Sequence, residues 1–148
     1  MRVEESIRIA APRDQVWRYV SQPERYPEFM VGSHWEPVPG DPTTGLRARF
    51  RISIEAVSID LGGVVEVIEH DPPHELAWTS ITGIDHRGRW ILRARDGETE
   101  TTLRLSYQVP GGILALVASQ LGKSIIRRDA RQSLAALKDL VESGGSQS

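Results

Sequence analysis

Apolar and polar side chains alternate along most of this chain with a period of two. Leu46, Ala48, Phe50, Ile52, Ile54 and Ala56 share one parity, against Arg47, Arg49, Arg51, Ser53 and Glu55 on the other. Successive side chains of a strand point to opposite faces, so the run predicts a strand with one buried and one wet face. The same pattern predicts strands over residues 2–10, around 34–38, and over 58–70, 74–82, 86–95 and 99–109. Gly62-Gly63 predicts a bulge or sharp bend, Asp71-Pro72-Pro73 a turn, and Asp96-Gly97 a tight hairpin.

A helical period replaces the alternation in two places. After Ala11-Pro12, the spacing of Val16, Trp17 and Val20 predicts a short helix, and Pro23 and Pro27 bracket a second, from Glu24 to Met30. Beyond Pro110-Gly111-Gly112 a long helix is predicted from about Ile113 to Glu142. Leu114, Val117, Ala118, Leu121 and Ile125 share one face of it; Ile126, Ala130, Leu134, Leu137 and Val141 share another. The faces change beside Gly122, a poor helix former, so a kink or break is expected there. Residues 143–148 read as a disordered tail.

These elements predict an α+β fold: a curved antiparallel sheet of about seven strands wrapped around a long C-terminal helix, with two short helices after strand 1. One domain is expected over residues 1–142. The final helix is the element long enough to cover the sheet's inner face, and a sheet curved around a helix leaves a gap suited to a ligand.

Composition narrows the chemistry. The chain has 148 residues, 39% of them hydrophobic and 26% charged, with a formal net charge of −2. That balance gives no global pull towards nucleic acid or an anionic membrane. With no cysteine, disulfides, thiolate catalysis and Cys-based metal sites are excluded. The first residues hold no apolar signal segment and no run approaches a membrane span, so a cytoplasmic protein without stable membrane insertion is expected.

The stretch Ile9-Ala10-Ala11-Pro12, then Val16-Trp17, then Pro23-Glu24-Arg25-Tyr26-Pro27-Glu28-Phe29, resembles the N-terminal signature of the START-like (SRPBCC) superfamily. More narrowly it is similar to the polyketide cyclase/dehydrase branch. Asp71-Pro72-Pro73 followed by Leu76 and Trp78, then His86 and Trp90, and the glycine-led terminal helix also fit. The resemblance spans nearly the whole chain. It implies the helix-grip fold and an apolar cavity, in a superfamily whose members include lipid carriers and aromatase/cyclases. A shared fold does not fix the chemistry.

Strand parity names the expected lining. Trp35, Phe50, Ile52, Ile54, Leu61, Val65, Trp78, Ser80, His86, Trp90, Leu103 and Tyr107 are assigned to the ligand site, with Val117 and Leu121 from the terminal helix. Three residues are candidates for moving protons: His86, since only histidine titrates near neutral pH unperturbed; Tyr107, as a donor to a ligand carbonyl; and Glu69, were it buried deeply enough to be a base. Each also has a plain structural reading: a hairpin-end histidine, a tyrosine packed on the helix, a solvated rim acid. Glu5, His74 and Thr82 share the inward parity.

Other motifs carry less. His70 and His74 flank a turn and cannot converge as a helical pair, so no metal site is expected, and no cofactor. Gly122-Lys123-Ser124 mimics the end of a P-loop but lacks its first glycine and a preceding strand. The arginine stripes at 47–51 and 87–95 read as a solvated sheet surface balanced by Glu66, Glu98 and Glu100, not as a nucleic-acid platform. The uncharged run Gly111 to Gly122 is expected at the cavity mouth, with transient contact to a membrane or partner as its sharpest reading. A monomer and a homodimer both fit. The expected function is binding or transport of a small hydrophobic or amphipathic ligand such as a lipid, isoprenoid or polyketide-like molecule. The alternative is a cyclase or dehydratase using the three proton-moving candidates, and a third reading is an accessory protein docking through residues 111–122.

Overall fold

The computed structural model describes residues 1–55, 61–108 and 120–144. The chain runs β1 (Arg2–Ile9), α1 (Arg13–Val20), a 3₁₀ helix (Pro23–Glu28), β2 (Ser33–Pro37), β3 (Arg49–Ile54), β4 (Leu61–Asp71), β5 (Glu75–Ser80), β6 (Asp85–Arg95), β7 (Glu98–Gln108) and α2 (Gln120–Gly144). Among the described residues seven strands form one curled antiparallel sheet, in the order β1-β7-β6-β5-β4-β3-β2. Every neighbour from β2 to β7 is consecutive in sequence, and β1 closes on β7. Helix α2 lies mainly on β1, with lesser contact to β7 and α1.

The alternation sets which face is inside. Ala48, Phe50, Ile52 and Ile54 are buried, as are Trp90 and Leu92 of β6 and Leu103, Leu105 and Tyr107 of β7. On α2, Ile126, Ala130, Leu134, Leu137 and Val141 form the buried stripe. Asp96 and Gly97 both take positive φ, 53° and 81°, the conformation a two-residue hairpin matching strand twist requires. The outer face carries cross-strand ion pairs, among them Arg49–Glu66 at 3.2 Å and Arg104–Glu4 at 2.8 Å.

Several expectations are corrected. Leu46 is 56% exposed, because positive φ at Gly45 and Arg47 breaks the strand before β3 begins at Arg49. Gly62-Gly63 is not the bulge of β4; the register shifts between Val67 and Glu69. The glycines instead allow a close backbone approach, since a Cβ on Gly63 would collide with the Thr82 carbonyl. The second short helix is 3₁₀, with Pro27 inside it removing an amide donor. Helix α2 runs through Gly122 without a break, tertiary burial outweighing a propensity cost of about 1 kcal/mol. It also continues past the expected end, through Ser143 and Gly144; residues 113–119 and 145–148 lie outside the described residues.

Candidate functional site

Where α2 faces the sheet, a cleft is lined by Trp35, Ile52, Ile54, Trp78, His86, Leu103 and Tyr107 of the predicted set. Met30 to Ser33 close it on one side; Ile126, Asp129, Ala130 and Ser133 of α2 close it on another, and Leu105 completes the floor. Its free volume is about 30 Å³, room for one or two waters. The ligand-sized hollow expected from parity is therefore not open among the described residues. The inward rows do face the helix, but they interlock. Tyr26 stacks edge-on to Trp35 at 4.8 Å, Trp35 edge-on to Trp78 at 5.2 Å, and Phe29 edge-on to Trp90 at 6.1 Å.

Other predicted residues stand elsewhere. Phe50, Val65 and Trp90 are buried in solid core and do not border the cleft. Ser80 serves β6, its hydroxyl accepting from the His86 amide at 3.1 Å. Val117 lies outside the described residues, as do the side chains of Leu61 and Leu121. Nearly all of Gly111–Gly122 also lies outside them. Glu69 faces out of the sheet, because the register shift at Val67/Glu69 reverses its parity. Its carboxylate pairs with Arg89 at 2.6 Å, and that bond holds its pKa down despite a small desolvation effect. His74 is exposed, with Nδ1 3.7 Å from Asp71, and Thr82 is exposed as well. His70 packs at a tilt against Trp17, with ring centroids 5.5 Å apart. Glu5 does face α2, where it pairs with Arg131.

The polar centre of the cleft is built from three strands. Trp78 of β5 sits opposite Gly88 of β6, and a Cβ on Gly88 would overlap the indole. The missing side chain lets the ring lie flat on the neighbouring strand. The indole Nε1–H then donates to Nε2 of His86 at 3.0 Å. His86 is 3% exposed, and its ring stacks on Tyr107 of β7 with centroids 4.5 Å apart.

That bond assigns the tautomer. Nε2 is the acceptor, so a neutral His86 carries its proton on Nδ1. Burial lowers its pKa to about 4, opposed by a hydrogen bond to the Ser106 backbone. That bond is poorly formed: among the described residues Nδ1 is the one buried side-chain N or O atom without a partner in good hydrogen-bond geometry. The Tyr107 hydroxyl is held protonated, chiefly by burial and secondarily by the charge of Asp129.

Chemically, the cleft offers the donors His86 and Tyr107 and one carboxylate, Asp129. The His86 Nε2 lone pair is occupied, Tyr107 is kept in its phenol form, and Glu69 points to solvent. Asp129 is the remaining carboxylate, with its side chain 13% exposed and 3.3 Å from Arg128. Of the three proton-moving candidates, His86 and Tyr107 border the cleft and Glu69 does not.

Sequence reasoning missed the wall opposite the sheet. Val31 N–H donates to Ser133 Oγ at 2.8 Å, and Ser133 Oγ–H donates to the Asp129 carbonyl at 2.7 Å. Gly32, at φ 84°, packs against the Asp129 carboxylate, where a Cβ would collide. The clue was Gly32 itself, a glycine between a short helix and a strand.

Comparison with known proteins gives the class. The model of the family described as polyketide cyclase / dehydrase and lipid transport matches residues 1–142, and this chain belongs to that family. A 17.2 kDa protein from the melC2–rnhH intergenic region of Streptomyces lincolnensis is 25% identical over 97% of this chain and 91% of its own. The crystal structure of TTHA0849 from Thermus thermophilus superposes with a TM-score of 0.82 at 20% identity, covering 97% of this chain and 99% of that one. The Zhui aromatase/cyclase from Streptomyces sp. R1128 gives 0.76 at 17% identity, covering 96% and 93%. At these identities the structural likenesses establish the fold.

Proposed function

We propose that this chain binds a small apolar or amphipathic molecule between its sheet and α2 and releases it unchanged. The observation that carries the reading is the cleft itself, walled mostly by apolar side chains of the sheet and α2 and bordered by the buried His86 and Tyr107. A guest's carbonyl or hydroxyl oxygen accepting from the His86 ring N–H would give that buried donor a well-formed hydrogen bond, worth about 1 kcal/mol. The protonated Tyr107 beside it is a second donor. Apolar side chains from the sheet and α2 would hold the rest of the guest.

The closed cleft is too small for such a guest, so binding requires it to open. The segment Met30–Ser33 is the natural place, since among the described residues one side-chain hydrogen bond, Val31 to Ser133, ties it to α2. The occupied Nε2 of His86 and the outward-facing Glu69 support binding over catalysis.

Native mass spectrometry of gently purified protein, and fluorescence titration with the solvatochromic naphthyl ketone acedan, test the reading. Retained apolar mass, or saturable acedan binding weakened by His86→Leu, is the expected result. No retained ligand and no saturable binding would refute it.

A further inference from the structure

We propose that the cleft selects uncharged guests bearing a hydrogen-bond acceptor and turns carboxylates away, with Asp129 as the selecting residue. This rests on the binding reading and names the class of ligand it would take. Among the described residues lining the cleft, Asp129 is the only one with a formal charge at neutral pH, and none is a lysine or arginine. The polar groups it shares the cleft with, His86 and Tyr107, are kept neutral by burial. A ketone, ester or alcohol oxygen could accept a hydrogen bond from His86 or Tyr107 without bringing charge into the cleft.

A carboxylate would meet two penalties. It would leave water for a cleft with no cation, and it would lie near a second carboxylate. The field of Asp129 already reaches inside, adding to the burial that holds the Tyr107 proton. Arg128 does not cancel this field, because its guanidinium is 63% exposed and solvated while the Asp129 side chain is 13% exposed. Gly32 adds to the effect, since its bare backbone lets Asp129 pack close against the segment that closes the cleft. A cleft of this charge is unsuited to fatty acids and suited to neutral ketones, esters and sterol-like or isoprenoid alcohols.

The test compares two probes of one shape: acedan and the naphthoate carrying the same dimethylamino group, the latter measured by competition. The carboxylate should bind at least about tenfold more weakly to the wild type. Asp129→Asn should close most of that gap, with far-ultraviolet circular dichroism and a cooperative thermal transition showing that the variant is folded. Asp129→Glu keeps the charge and should keep the gap, and Asp129→Ser repeats the comparison should the amide disturb folding. Equal binding of both probes to the wild type would overturn the proposal, as would a gap that Asp129→Asn and Asp129→Ser leave unchanged. If neither probe binds the wild type, the binding reading itself fails and the selectivity falls with it.

Discussion

Trp78 and His86 are joined by a buried hydrogen bond, indole Nε1 to imidazole Nε2 at 3.0 Å, across two adjacent strands. The bond makes the histidine an acceptor at Nε2 and leaves its proton on Nδ1. One aromatic contact thereby decides the chemistry of the cleft. A residue that sequence alone suggests as an acid–base catalyst becomes a fixed, neutral donor.

Burial of this imidazole should also be visible in stability. The unfolded ring takes up a proton near pH 6.5, whereas the folded one does so only near 4. Between those values the unfolded chain binds more protons, so stability rises with pH across that window. Its contribution is complete above pH 6.5 and is lost as pH falls to 4, a change of about 3 kcal/mol. Urea unfolding across this range should show the loss, and His86→Phe should flatten that part of the curve. An unchanged slope in the variant would mean that His86 titrates normally.

Gly88→Ala tests the support beneath Trp78. The added methyl would overlap the indole, which pairs directly across from it on β5. Overpacking together with the broken bond to His86 should cost about 3 kcal/mol. Near-ultraviolet circular dichroism should lose tryptophan signal, and the apparent pKa of His86 by NMR should change. A variant as stable as the wild type would show that the indole has room to move.

Much of the fold was legible because period-two patterning is local. Phe50, Ile52 and Ile54 needed only their own neighbours to be placed inside, and Asp96-Gly97 needed only its φ preferences. What failed depended on distant or one-residue events. The register shift between Val67 and Glu69 moves one acid from inside to outside, and no composition signal marks it. The cleft's second wall joins Val31 to Ser133, 102 positions apart, so neither residue was identifiable alone. Nor does alternation reveal volume: Trp35 and Trp78 were assigned to the ligand site, yet only their geometry against each other and against Tyr26 shows that they fill the space.

Tyr26 has a core role within the short helix between Pro23 and Glu28. Its hydroxyl donates to the Val20 carbonyl at 2.6 Å and accepts from Trp90 Nε1 at 3.0 Å, with the whole residue buried. Tyr26→Phe removes both bonds without a change of shape and leaves two buried groups unpaired. A loss of about 2 kcal/mol in chemical denaturation is expected, with ligand affinity largely kept. A larger fall in affinity than in stability would instead put Tyr26 in the binding site.

Opening of the cleft should depend on the link between Val31 and Ser133. Ser133 is 1% exposed, and its hydroxyl is the side-chain partner of the Val31 amide. Ser133→Ala leaves that amide without its acceptor, at a cost of about 1 kcal/mol to the closed form. The segment Met30–Ser33 should then separate from α2 more often. If guests enter there, acedan should associate and dissociate faster in the variant, while its equilibrium affinity moves much less. Stopped-flow fluorescence separates the two quantities, and hydrogen exchange at Val31 reports the opening directly. Faster exchange at Val31 with unchanged probe kinetics would mean that guests enter by another route.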